Sequence, residues 1–425
     1  MTHVCIDGLQ LALPYDNGIG TYTRNLNDAL VAMGHQTSVL YGRNIKNHRH
    51  APLREALFFA PNAIEAMTLP ARVLRAFGAI PAALTRGNGP IEIPRTGFVV
   101  RDERFGVGDT LFNSRRLFHA AHLHFRLTGQ LLTVRNPNGV SVCHWTSPLP
   151  VRMQGAKNIY TFHDLIPARY PYLAGGNPAH FFRVSRAAAA AASHIVTVSD
   201  HSRRELMEHL PLGDDRVTNT YQSVEIPAPS PGGAATLQLY WLQEKDYYLS
   251  FSVIDPRKNI ARMIEAYLAS GTRRKLVIAG QFGWLGADDI RLLSNMGLWN
   301  SQSGQPQSGR KIVFLGHVSR THLDHLIRGA QAVLFPSLTE GFGLPIIEAM
   351  GRGIAVLTSR CGATEEIAGS AAHLVDPLSS QSITAGIREL DTNPGLVEKL
   401  EREGPDRARF FSAEAYRKRL QSIYC

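Results

Sequence analysis

Two hydrophobic periods alternate along the chain. Short β-branched or aromatic runs bounded by Gly, Asn, Asp or Pro give way to longer stretches whose apolar residues recur three and four positions apart. In the first half the short runs predict strands at His3–Gly8, Gln36–Tyr41, Val140–Trp145, Asn158–His163, His194–Ser199 and Val217–Gln222. In the second half they predict strands at Tyr248–Ile254, Lys275–Gly280, Lys311–Gly316, Ala332–Ser337, Ala355–Ser359 and Ala372–Asp376. Strands that alternate with helices build parallel sheets covered on both faces, so the pattern predicts an α/β chain with two Rossmann-like, doubly wound domains.

The segment Ile226–Ala235, rich in Pro, Gly and Ser, can continue neither sheet and reads as an interdomain linker. The expected organisation is a first domain at 1–225, a linker at 226–235, a second domain at 236–405 and a last helix at 406–425, N-capped by Ser412 and packed back on the first domain. Residues 44–138 separate two strands taken as neighbours and read as an elaboration. Within it, Pro70–Ile80 has apolar residues at helical spacing with arginines between, which suits a surface helix meeting a membrane or another part of the protein. An ordinary amphipathic helix on its own core is the plainer alternative. Ala187–Ala192 reads as part of an alanine-rich helix, and no internal repeat is evident.

Length agrees with two domains, since 425 residues exceed the roughly 250–300 that one hydrophobic core supports. No run approaches the ~18 apolar residues of a membrane span, and the first residues read directly as a strand rather than a signal peptide, so a cytoplasmic protein is expected. Cys5, Cys143, Cys361 and Cys425 are scattered without metal or disulfide spacing and read as reduced thiols. The net charge of +10 is uneven: residues 1–225 hold 23 Lys and Arg against 16 Asp and Glu, with 13 of the 17 histidines. Such a field attracts phosphorylated substrates or anionic headgroups; a merely basic surface explains it equally well. No basic stripe with interleaved aromatics points to nucleic acid.

The most informative segment is Phe335–Gly351. A strand ends, a glycine-containing loop carries Glu340, Gly341, Phe342, Gly343 and Leu344, and Pro345 enters a short helix bearing Glu348 within its first turn. Glycines let backbone approach a ligand, and N–H groups at a helix start favour phosphate or hydroxyl oxygens. Two carboxylates flank this cradle, an arrangement suited to the hydroxyls on either side of a diphosphate. A loop with two solvated glutamates is the plain alternative. The segment resembles the Glu-x7-Glu motif of the large retaining glycosyltransferase family 4, which includes glycogen synthase-like, sucrose synthase-like and mannosyltransferase enzymes. The resemblance spans about residues 3–424 and implies the two-domain GT-B fold. It also implies Glu340 near the transferred sugar, Glu348 on the nucleotide ribose, and the backbone of Gly341–Leu344 on sugar and diphosphate.

Further segments share the likeness. Asp255-Pro-Arg257-Lys258-Asn259 follows a strand and resembles the family's donor-phosphate motif, which implies that Arg257 and Lys258 stabilise the leaving diphosphate. Many relatives carry a Gly-Arg pair shortly before this lysine; here Ser252-Val253 stands instead. Tyr160-Thr-Phe-His163-Asp164-Leu-Ile-Pro167 ends a strand at its carboxyl edge, where α/β ligands collect. The resemblance implies His163 on the donor sugar, with Asp164 orienting its ring or capping the next helix. The loop Asp16-Asn-Gly18-Ile-Gly20 resembles the one that approaches donor diphosphate and acceptor. Thr197–Ser202 also resembles the family, as a strand end and helix cap.

What the resemblance implies is a front-face transfer with retention, without metal or other cofactor, from a nucleotide sugar to a saccharide or lipid-linked saccharide. The phosphate-motif variant, the segment around His163 and the Ala279–Trp284 stretch are most similar to enzymes of bacterial surface polysaccharides, which commonly use GDP-mannose or related GDP-sugars. Peripheral contact with an anionic membrane would suit such an acceptor. Domain closure is expected, with an open cleft when empty. The competing readings are a nucleotide-sugar epimerase on the same fold, which makes no glycosidic bond, and a non-catalytic binding protein of GT-B type.

Overall fold

The computed structural model describes residues 2–13, 17–45, 48–60, 89–99, 107–137, 139–283 and 311–424. Among the described residues ten strands precede residue 226: β1 (His3–Asp7), β2 (Gln36–Tyr41), β3 (Ile91–Ile93), β4 (Thr110–Asn113), β5 (Leu132–Val134), β6 (Val142–Trp145), β7 (Val151–Met153), β8 (Lys157–Phe162), β9 (His194–Thr197) and β10 (Val217–Asn219). Eight form one sheet in the order β10-β9-β8-β6-β1-β2-β4-β3, parallel except for the β3–β4 pair, while β5 and β7 make a small ribbon. A second, wholly parallel sheet of six runs β13-β12-β11-β14-β15-β16. Its strands are β11 (Tyr247–Phe251), β12 (Lys275–Ala279), β13 (Ile312–Gly316), β14 (Ala332–Phe335), β15 (Ala355–Ser359) and β16 (His373–Val375). These strands are apolar on both faces and buried along nearly their whole length, as helices covering both sides of a parallel sheet require.

Each sheet reverses direction at its first strand, between β1 and β6 and between β11 and β14. A crevice opens at the carboxyl edge of such a switch point, because the flanking connections leave it on opposite faces. The two crevices hold the residues described below.

Three expectations need correction. The strands flanking residues 44–138 are not neighbours, since β1 lies between β2 and β6. The segment is also not only an elaboration: it supplies β4, which pairs with β2, and β3 beyond it. The short run Thr110–Asn113 carried too few alternations to stand out. The Pro/Gly segment ends early, because a helix begins at Gly233, inside the expected linker. The amphipathic stretch Pro70–Ile80 lies outside the described residues.

The halves also touch, where an open cleft was expected. One apolar cluster runs from Val4, Tyr22 and Leu26 through Phe411, Tyr416 and Leu420 to Leu249 and Val333. The helix Ala413–Tyr424, whose Ala415 N–H donates to Ser412 Oγ at 3.3 Å, carries this cluster between the sheets. Glu366 accepts from the N–H groups of Asp200 (2.8 Å) and His201 (2.7 Å), so a second-half carboxylate caps the first-half helix Asp200–His209.

Candidate functional site

At the carboxyl edge of β11 the chain turns through a single 3-10 turn, Pro256–Lys258, and Asn259 then takes a left-handed conformation (φ 60°). That conformation is held by the Asn259 amide, which donates to the carbonyls of Pro336 (3.0 Å) and Pro377 (2.8 Å). The turn aims Arg257 and Lys258 at the loop after β14. Lys258 Nζ lies 2.6 Å from Glu340 Oε1 and Arg257 Nη1 lies 2.8 Å from Oε2, so each carboxylate oxygen has its own cation. Asp255 stands 3.5 Å from Arg257, and Lys258 sits 4.8 Å above the Phe335 ring.

Burial opposes every charge here, and the contest is decided group by group. For Glu340, burial is outweighed by Arg257 and Lys258, which hold its carboxyl below the usual range. For Arg257, burial is outweighed by Glu340, Asp255 and Asp164, which push its pKa up. Lys258 is the exception: burial, with Arg257 beside it, lowers its pKa despite Glu340. Arg257 has Asp255 as well as Glu340, whereas Lys258 shares Glu340 with a neighbouring guanidinium, and of the two cations lysine is the one that can lose its proton.

Across the interface, Gly341 packs on the first half. A Cβ there would lie 2.4 Å from the His163 carbonyl oxygen and 3.1 Å from Asp164 Oδ2, so only glycine allows the approach. Ser199 Oγ donates to the Gly341 carbonyl at 2.8 Å, and Ser202 Oγ to the His163 carbonyl at 2.7 Å. Ser199 also caps its helix, accepting from Ser202 N–H. Gly343 then adopts φ 108° and starts the helix Leu344–Met350, with Phe342 buried against Phe411. Among the described residues no protein acceptor meets the N–H groups of Gly341, Phe342 or Gly343.

His163, at the end of β8, donates from Nε2 to the Thr146 carbonyl at 2.9 Å and meets the Tyr22 ring edge-on. Burial lowers its pKa to about 4. It is therefore neutral near pH 7 with its proton on Nε2, which leaves Nδ1 as an acceptor. Asp164 does not touch that ring. Its Oδ1 accepts from Ile166 N–H at 2.9 Å, so of its two expected roles the local helix start is the one realised; burial raises its pKa against the pull of Arg257.

Glu348 lies one turn later than expected, at the fifth residue of its helix. Burial raises its pKa, offset in part by Arg352 and Arg320, and among the described residues no protein donor meets its carboxylate. Gly18 and Gly20 lie in the first turn of the helix Gly18–Ala32 rather than in a loop, with Asn17 capping the Gly20 N–H at 2.8 Å. Gly18 faces Leu344 of the other half. Asp16 lies outside the described residues.

Sequence reasoning missed Asp7, which ends β1 at the switch point. Its Oδ2 accepts from the N–H and hydroxyl of Thr146, the residue whose carbonyl holds His163. A lone carboxylate closing the apolar run Val4–Ile6 was the available signal. Tyr22, Ser199, Ser202 and Glu366 were also missed as parts of the site.

The profile described as "Glycosyl transferases group 1" matches residues 238–407, and "Glycosyltransferase Family 4" matches residues 16–225. The chain is 31% identical over 267 residues to the Escherichia coli O-antigen chain mannosyltransferase B, covering 59% of this chain and 67% of that one. It is 29% identical over 269 residues to the E. coli serotype-specific mannosyltransferase WbdA, with 60% of this chain matching about a third (32%) of that longer protein. Among solved structures, the Thermosynechococcus elongatus sucrose-phosphate synthase superposes with a TM-score of 0.67 at 16% identity, covering 100% of this chain and 98% of that one. Anabaena HepE, solved with UDP-glucose, gives 0.64 at 14% identity, covering 100% and 99%. These likenesses establish the GT-B fold.

Proposed function

The chain belongs to the family 4 glycosyltransferases, and we propose that it transfers mannose, or a closely related hexose, from a GDP-sugar to a saccharide acceptor in bacterial surface polysaccharide synthesis, with retention and without a metal ion. The observation that carries this reading is the cluster of Arg257, Lys258 and Glu340 at the switch point of the second sheet, facing His163 across Gly341. A nucleoside diphosphate placed there meets two cations and the N–H groups of Gly341–Gly343. Arg257 supplies the guanidinium that relatives take from the Gly-Arg pair, a position where Val253 is exposed here.

The acceptor hydroxyl attacks the anomeric carbon from the face the diphosphate leaves, and its proton passes to the departing phosphate oxygen. The carbon–oxygen bond to phosphate breaks as the new glycosidic bond forms. Arg257 and Lys258 neutralise charge growing on the leaving group, the service a divalent ion would otherwise perform. Glu340 holds both cations in place until phosphate arrives and then faces the sugar, while His163 Nδ1 accepts from a sugar hydroxyl and Glu348 faces the ribose.

Peripheral contact of a cytoplasmic enzyme with an anionic membrane belongs to the same reading. Residues 110–199 contain nine Lys and Arg but one acidic residue, Asp164. The helices Leu117–Thr128 and Pro178–Ala191 of that stretch meet through His122 and His180, 3.0 Å apart. Absence of sedimentation with anionic vesicles at low salt would remove this part of the reading.

The decisive test incubates the protein with GDP-mannose and mannose-terminated oligosaccharides. An α-linked product that forms equally well with a chelator present supports the whole reading. An inverted product, or dependence on a divalent ion, contradicts the mechanism, and sugar transfer from UDP-sugars alone contradicts the donor.

A further inference from the structure

Beneath His163, a chain of buried polar groups runs to the last helix of the protein. The Tyr424 hydroxyl is hydrogen-bonded to His144 Nδ1 on β6. His144 Nε2 lies 2.7 Å from Thr161 Oγ1 on β8, and Thr161 Oγ1 lies 2.8 Å from the Tyr22 hydroxyl. The Tyr22 ring then meets the His163 ring at 5.0 Å between centroids and 87° between planes. Tyr22, His144 and Thr161 are fully buried, and Tyr424 is 6% exposed. Burial lowers the His144 pKa to about 3, so its ring is neutral, with one nitrogen donating and the other accepting. Each of the four groups has one proton to give, so they bond head to tail, and the orientation of any one fixes the rest.

We propose that Tyr424 is a positioning residue for His163, acting through His144, Thr161 and Tyr22. His163 is anchored at one point, by Nε2–H on the Thr146 carbonyl. A ring held at one atom still pivots, and the edge-on wall of Tyr22 is what limits the pivot. Tyr22 is in turn tied through Thr161 and His144 to a helix that the chain reaches only after completing the second sheet. The seating of that helix is thereby linked to the direction of His163 Nδ1. Neither composition nor spacing hints at this link, because Tyr22 and Tyr424 meet the network from opposite ends of the sequence. The proposal rests on the reading of His163 as the donor-sugar contact.

The test uses Tyr424→Phe, Thr161→Val and the double variant of the full chain. Phenylalanine keeps the ring and removes only the hydroxyl; valine breaks the relay at another point if the first variant folds poorly. The expected result is a kcat lower by roughly 3- to 10-fold, the size of one edge-on ring contact, with donor KM within about twofold. The double variant should be no worse than the poorer single one, because both cut the same relay. Additive losses, or unchanged kcat, would overturn the proposal. A second readout does not depend on activity: in protein labelled with 15N-histidine, the His163 ring signal, assigned with His163→Ala, should shift in both single variants. A His163 signal left in place overturns the relay whatever the assay shows. If the unaltered protein transfers no sugar, the functional reading fails and the spectra alone decide this one.

Discussion

The two walls of the site solve opposite problems. The second-half wall is charged: Arg257 and Lys258 each reach the Glu340 carboxylate within 2.8 Å. The first-half wall presents neutral imidazoles: burial lowers the pKa values of His163 and His144 to about 4 and 3. A leaving diphosphate gains charge as the reaction proceeds, and preorganised cations lower that barrier. A sugar carries no charge and needs directed hydrogen bonds, which neutral groups in fixed tautomers supply without attracting water or stray ions. The difference separates electrostatic work, done by the second half, from orientation, done by the first.

The largest expected effects break the charged wall. Lys258→Ala and Glu340→Ala should each lower kcat/KM by roughly 10²–10³, whereas His163→Ala should cost about 10-fold. Steady-state kinetics would overturn the division of labour if His163→Ala proved the more damaging. Glu340→Ala also leaves Lys258 without its carboxylate in a buried place and Arg257 with Asp255 alone, so its melting temperature should fall while that of Lys258→Ala falls less.

Next in size is the pH profile. Because both histidines are neutral well below pH 6, kcat/KM should show no inflection between about pH 5.5 and 8. The alkaline limb should begin below the ordinary lysine value of 10.5, since burial lowers the Lys258 pKa, and it should move upward in kcat once diphosphate is bound. A limb near pH 6.5 would show that an imidazole titrates in the reaction.

Stability should follow the same groups with the sign fixed by linkage. Unfolded histidines take up protons below about pH 6.5, and the native His144 and His163 do not until about 3 and 4. Stability is therefore full above pH 6.5 and falls as pH drops, by at most ~1.4 kcal/mol per pH unit for each. Glu340, whose pKa is lowered, keeps its contribution until pH falls through its native value. Urea midpoints at pH 7 and pH 5 measure the drop. The smallest effect is expected for Glu366→Gln, which removes the carboxylate charge at the Asp200 helix start and keeps only one of its two hydrogen bonds, at a cost of about 1 kcal/mol.

How much of this was legible in the sequence follows from how local each feature is. Every expected strand is present, because a buried parallel strand is a continuous apolar run. The missed β3, β4, β5 and β7 span three or four residues each, too few for any period to register. Arg257, Lys258, Glu340 and His163 were legible because each ends a strand in a recognisable segment. Their pairing was not: that Glu340 receives both cations depends on β11 and β14 being neighbours, although Arg257 and Glu340 are 83 positions apart in the chain. Asp164 serves its own helix start because the one N–H of the His163 ring already donates to the Thr146 carbonyl. Ser199 and Glu366 become visible only when the halves meet, and Tyr22 only when its helix packs beside β8, since their partners lie more than 100 residues away.

The central claim is that the Arg257–Lys258–Glu340 cluster is the seat of a nucleoside diphosphate. It is tested most directly by titrating GDP, UDP, ADP and CDP into the protein and into its Lys258→Ala variant while following the melting temperature, because a ligand that prefers the native state must stabilise it. The account predicts stabilisation by GDP, abolished or strongly reduced in the variant. Equal stabilisation of both proteins, or none by any of the four nucleotides, would contradict it.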